Sequence, residues 1–290
     1  MSLRILRGIR EIAADYDGFI LDIWGLLHDG SRPFPGVLDA LRRLKAAGRR
    51  TVLLSNAPRR AAMVADRLVE IGIPRSLYDS VHSSGEEAWL HLKHRDDRFF
   101  RALGRRCYFI GPGRDDPMLE GLDLERVAEI GDAEFLFAIG PPGWEDSLAP
   151  YEAMLAAARA RDLPMVCANA DLVVIHQGRR SLCAGAIAQR YEAMGGRVRW
   201  HGKPYRSVYD TCFRMLGIAD RSRIVAFGDS LRTDIAGAAK AGIDGILVAS
   251  GIHAEEIGLT PDAPLDPERI AALAAASGAV PIAAMHDFRW

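Results

Sequence analysis

The sequence predicts an α/β protein built on a Rossmann-like parallel sheet, and three features predict it. Short, continuously apolar runs rich in β-branched and aromatic residues recur along the chain, as strands buried on both faces require. Longer amphipathic stretches closed by glycine alternate with them, the pattern of helices covering a parallel sheet. Polar residues suited to chemistry sit at the C-terminal ends of the apolar runs, where open α/β sheets bind their ligands.

Taken in order, GFILDIWG (18–25) reads as a buried strand ending in a turn. PGVLDALRRLKAAG (35–48) reads as a helix, with Pro35 at its start and Gly48 as its stop. TVLLSN (51–56) is a strand and RRAAMVADRLVEIG (59–72) a helix. In the middle, CYFIG (107–111), EFLFAIG (134–140), PMVCAN (164–169) and DLVVIHQG (171–178) read as strands. The stretches 148–162 and 185–196 read as helices between and after them. PMVCANADLVVIHQGRRSLCAG looks like paired extended segments with turns between. The C-terminal part resumes with VRWHG (198–202), a helix over 205–217, RIVAFGDS (223–230), a helix over 233–242 and GILVAS (245–250).

The chain has 290 residues, long enough for about two domains. Its 49% hydrophobic and 26% charged residues exclude collagen-like, disordered and disulfide-scaffold classes. A net charge of −1 gives no electrostatic case for nucleic acid or a membrane surface. Cys107, Cys167, Cys183 and Cys212 form no CxxC pair, which suits reduced thiols in a cytoplasmic protein. No membrane-spanning run is present, and Arg4, Arg7, Arg10 and Glu11 break any signal-peptide core.

Asp22, Ser55 with Asn56, Lys203 and Asp229 each follow an apolar strand, and Asp234 comes five residues after Asp229. Singly, each reads more simply as a cap or turn former. Together they place carboxylates, a hydroxyl, an amide and an ammonium at one sheet edge. Carboxylates with phosphate oxygens hold Mg²⁺. A carboxylate facing phosphorus can act as nucleophile. The set is equipment for phosphoryl transfer on a small phosphorylated molecule.

The order Asp22, Ser55, Lys203, Asp229/Asp234 resembles the four motifs of the haloacid dehalogenase superfamily. DIWGLLHDGSRPFPG, LLSNAPR, HGKP and GDSLRTDIAGAAKAG look like its class IIA, NagD-like branch of sugar-phosphate and aryl-phosphate phosphatases. The resemblance spans residues 15–250. It implies that Asp22 is a nucleophile forming an aspartyl-phosphate and that Lys203 stabilises nucleophile and phosphate. It implies that Ser55, helped by Asn56, binds the phosphoryl group. Asp22, Asp229 and the backbone carbonyl of Trp24 would ligate Mg²⁺, with Asp234 in the shell behind. A homodimer is common among such relatives.

The stretch between Ser55 and Lys203 far exceeds the roughly 30 residues of a β–α–β unit. The resemblance makes it an inserted α/β cap, placed at 83–197, with the catalytic core at 1–82 and 198–290. A cap would exclude water and supply substrate contacts.

One departure stands out. The family places an aspartate two residues after the nucleophile, to protonate the leaving group and activate water, and Trp24 occupies that position. His28 and Asp29 follow nearby; loop hydrogen bonding is the favoured reading of His28, general acid the other. Two alternatives to a general phosphatase follow: an enzyme restricted to good leaving groups, and a non-catalytic protein that keeps the fold. His91 and His94 lie one helical turn apart and, lacking a third ligand in the sequence, read as solvated helix-face residues.

Overall fold

A computed structural model describes residues 3–113, 117–143, 146–176, 179–260 and 263–290. The chain falls into two compact units. The first comprises Met1–Ser55, Val64–His82 and Lys203–Trp290, the second Asn56–Met63 and Ser83–Gly202.

The first unit is organised by a seven-stranded sheet. In spatial order its strands are Arg4–Leu6, Ala283–Met285, Asp244–Val248, Ile224–Gly228, Gly18–Leu21, Arg50–Ser55 and Ser80–Ser83. The pairings Gly18–Leu21 with Arg50–Ser55 and with Ile224–Gly228 are parallel. Both GFIL and IVAFG are buried at every residue, as their uninterrupted apolar sequence anticipates. Alternate residues take opposite faces. Ile20, Val52, Leu54, Ile224 and Ala226 pack with Val208, Tyr209 and Cys212 of the helix Arg206–Leu216. Phe19 and Phe227, of the other parity, stack at 6.1 Å.

Element boundaries shift where backbone geometry overrides pattern. The helix expected from Pro35 begins at Val37, because Gly36 turns the chain with φ +87. A Cβ at Gly36 would also lie 3.0 Å from Arg289 Cβ, so the turn needs glycine. The helix expected over 233–242 opens instead with a wide π-type turn, Leu231–Ile235, before Ala236–Ala241. The edge strands Arg4–Leu6 and Ser80–Ser83, and Ala283–Met285 beside the first of them, carry no sequence signal strong enough to single them out.

The second unit holds a five-stranded sheet in the order Val198–Trp200, Met165–Cys167, Phe135–Ala138, Arg106–Ile110 and Glu125–Val127. A separate antiparallel hairpin joins Val173–His176 to Arg179–Leu182, the paired extended segments expected there; residues 177–178 lie outside the described set. The two faces of the sheet carry separate apolar clusters, one around Leu136, Met165 and Tyr191 and the other around Phe100, Phe135 and Phe137. Val198–Trp200 departs from expectation. Placed by sequence at the start of the core segment 198–290, it pairs with Met165–Cys167, and the chain stays with the second unit through Gly202. A three-residue strand takes its sheet from its hydrogen-bond partners, which local sequence does not name. All four cysteines are buried. No helix among the described residues is long and apolar enough to cross a membrane.

Candidate active site

Sheet order places the site. From Gly18–Leu21 the chain steps outward through Arg50–Ser55; from Ile224–Gly228 it steps the other way through Asp244–Val248. The crevice between these two central strands is a topological switch point, and ligands bind beyond its C-terminal edge. Leu21 pairs with Phe227, so Asp22 lies beside Gly228, the last residue of its strand, and Asp229 follows at the same edge. Asp22 N–H still donates to Phe227 O at 2.9 Å.

Four of the expected residues converge here. One carboxylate oxygen each from Asp22, Asp229 and Asp234 lies within 4.8 Å of the others. Lys203 Nζ donates to Asp22 Oδ1, and to Asp234 Oδ1 at 2.7 Å. All four side chains are buried. Burial acts to lower the Lys203 pKa, but the Asp22 and Asp234 carboxylates outweigh it and hold the ammonium well above the usual lysine value. Burial, with Asp234 and Asp229 close by, pushes the Asp22 carboxyl up despite Lys203. Three carboxylates thus face one ammonium, and a surplus of negative charge remains.

The turns that aim these groups are specific. Ser230 Oγ caps Thr233 N–H at 3.3 Å, and Asp234 N–H donates to Ser230 O at 2.9 Å. The wide turn carries Asp234 back toward the strand end, where its Oδ2 accepts from Ser230 N–H at 3.2 Å. Ile252 N–H fixes Asp229 Oδ2 at 2.9 Å. Gly25 has φ +83, and a Cβ there, or on Gly251, would sit 2.1 Å from Asp229 Oδ2. Backbone therefore wraps closely around Asp229. Tyr209 Oη donates to the Asp234 carbonyl at 3.2 Å from the helix behind. Gly25, Gly251, Ile252 and Tyr209 are absent from the sequence-level candidates. Only the glycines gave a signal, because a backbone amide or a tyrosine on a core helix has no local signature.

Ser55 ends the neighbouring strand and is 6% exposed. Asn56 belongs to the second unit, where its side-chain amide donates to Asp171 Oδ1 at 2.9 Å. That anchor is invisible in the sequence.

Trp24 and His28 form a small structure of their own. The half-buried indole packs edge-on to His28 at 5.3 Å and against Gly30, where a Cβ would lie 2.5 Å from the ring. His28 is 5% exposed, and its Nδ1 accepts from Gly30 N–H at 2.8 Å, which puts the imidazole proton on Nε2. Burial lowers its pKa to about 4, against the pull of Asp29. A neutral imidazole organising its own loop fits this geometry, and a proton-donating imidazolium at neutral pH does not.

The donor set fits a hard divalent cation. Oxygen ligands and excess negative charge suit such an ion; Mg²⁺ takes one or two carboxylates and fills its other positions with water and phosphate oxygens.

Comparison with known proteins gives consistent results. Residues 19–125 match the family described as haloacid dehalogenase-like hydrolase, and residues 200–273 match a related hydrolase-like family. A crystal structure of a haloacid dehalogenase-like hydrolase from Brucella suis is similar at 30% identity and TM-score 0.82, covering 98% of this chain and 99% of that one. A 4-nitrophenylphosphatase of Schizosaccharomyces pombe is 28% identical, covering 89% of this chain and 92% of its own. The human glycerol-3-phosphate phosphatase is 28% identical, covering 84% of this chain and 82% of its own.

Proposed function

The chain belongs to the haloacid dehalogenase-like hydrolases, and we propose that it is a Mg²⁺-dependent phosphatase of a small phosphorylated metabolite, working through an aspartyl-phosphate on Asp22. The observation that carries this reading is the buried grouping of Asp22, Asp229 and Asp234 around Lys203 at the switch point.

In this reading an Asp22 carboxylate oxygen attacks phosphorus, and the P–O bond to the leaving group breaks with its electron pair on the departing oxygen. Lys203 holds the Asp22 carboxylate in place and offsets charge on the phosphoryl oxygens. The Ser55 hydroxyl donates to one of those oxygens. Water then attacks the acyl phosphate at phosphorus, releasing phosphate and restoring Asp22. Asp22 and Asp229, with the Trp24 carbonyl, would hold Mg²⁺, and Asp234 would support it from behind. The ion, when bound, supplies charge neutralisation at the phosphoryl group. In this reading the second unit would select the substrate.

A narrower version rests on Trp24. The indole N–H does not ionise at working pH, and His28 is held neutral. The departing oxygen then takes its proton from water, which suits aryl or acyl phosphates better than sugar alkoxides. Single-turnover kinetics across esters of graded leaving-group pKa test both. A steep rise as leaving-group pKa falls is expected. A flat dependence with fast sugar-phosphate hydrolysis would reject the narrower version, and no Mg²⁺-dependent turnover of any ester would reject the phosphatase.

A further inference from the structure

We propose that the second unit carries a transition-metal site of its own, formed by Glu87, His91 and His201 and suited to Zn²⁺. Glu87 and His91 stand four residues apart on the helix Ser84–His94, a spacing that puts both on one face. His201 follows the strand Val198–Trp200, and its N–H still donates to Cys167 O at 3.0 Å. One ligand atom from each of the three side chains lies within 4.8 Å of the others.

The donors decide the class of ion. Two imidazoles and one carboxylate form the set used by open zinc sites, with a fourth position left over. Imidazole favours Zn²⁺ and its neighbours over Mg²⁺. His201 Nδ1 and Glu87 Oε2 are 3.0 Å apart, close to the edge of a tetrahedron with bonds of ~2.0 Å. Little movement separates this pair from a shared ion.

A further observation points the same way, and His201 is itself only 2% exposed. His91 Nδ1 lies 2.7 Å from Asp96 Oδ1, the carboxylate–histidine pairing that orients metal-bound imidazoles. His91 also stacks on Phe100 at 5.0 Å and lies 5.4 Å from the His201 ring, so its orientation is fixed from two sides.

An ion here would tie the helix to the strand end. Glu87 Oε2 also accepts from Gly202 N–H at 3.3 Å, so the same carboxylate steadies the chain just before Lys203.

The test uses the full chain stripped with chelator. Calorimetric Zn²⁺ titration and the visible absorption of Co²⁺ should show a site that persists in Asp229→Ala. In His91→Asn, a half-buried position chosen to keep the fold, affinity should fall at least ~10-fold, and Asp96→Asn should weaken it about 10-fold. Glu87→Gln should weaken it as well, with circular dichroism checking that each variant is folded. Zn²⁺ binding that is absent, abolished by Asp229→Ala, or unchanged in folded His91→Asn and Glu87→Gln overturns the proposal. None of these readouts depends on phosphatase activity.

Discussion

Asp22, Asp229 and Asp234 reach one another from two neighbouring strand ends and the wide turn that follows one of them. Glu87 and His201, by contrast, meet across a sequence separation of 114 residues, from a helix face and a strand end. The first group is all oxygen around an ammonium; the second mixes imidazole with carboxylate. One is matched to a hard cation and phosphate, the other to a borderline ion. Topology forces the first group together, because parallel strands deliver their C-terminal residues to one edge. Nothing in the local sequence forces the second, which depends on how the helix Ser84–His94 packs within its unit.

The hardest break of this comparison is removal of the proposed nucleophile. Asp22→Asn should lower turnover at least ~10³-fold and abolish the acid-stable phosphoenzyme, while leaving Zn²⁺ binding by the second unit intact. Radiolabelled phosphate trapping reads the first effect, and wild-type turnover in the variant would remove Asp22 from the chemistry. Trp24→Asp should act in the opposite direction. Supplying the missing acid should raise turnover of alkyl phosphates by about 10²-fold or more and change aryl phosphates least. Equal gains on both would show that the indole matters by packing alone.

These expectations also mark how much the sequence disclosed. Asp22, Lys203, Asp229 and Asp234 were legible because each follows an apolar run, and sheet geometry converts that position into proximity. Ser55 follows an apolar run in the same way and ends the neighbouring strand. The Asn56 bond to Asp171 and the third partner of Glu87 and His91 were not, since both are contacts between segments distant in the chain.

A smaller effect separates the two proposed metal sites. Asp229→Ala should weaken Mg²⁺ binding about 10-fold or more, because a carboxylate that Ile252 N–H holds in place is lost. The Zn²⁺ titration of the same variant should be unchanged. Equal loss of both ions would mean that one site had been mistaken for two.

The mildest test is pH. Folded His28 stays neutral down to about pH 4, whereas an unfolded imidazole takes up its proton near 6.5. Its contribution is fully present above 6.5 and is lost as pH falls toward 4, by at most about 3 kcal/mol. Urea unfolding at pH 7.5 and 4.5 should show this loss in the wild type. The loss should shrink in His28→Asn, whose amide oxygen can still accept from Gly30. An unchanged pH dependence in the variant would assign the loss to other groups.

The sequence by itself determined the α/β class, the central strands, most helix stops and the carboxylates at the switch point. Hydrophobic periodicity and glycine placement are local, and the C-terminal edge of a parallel sheet turns local position into a shared site. Only the tertiary structure decided that Val198–Trp200 joins the second sheet, that the last helix of the switch region begins with a wide turn, and that His28 is a neutral loop organiser. It alone brought Glu87, His91 and His201 together. Those outcomes depend on burial and on hydrogen bonds between remote segments, which come into being only when the chain has packed.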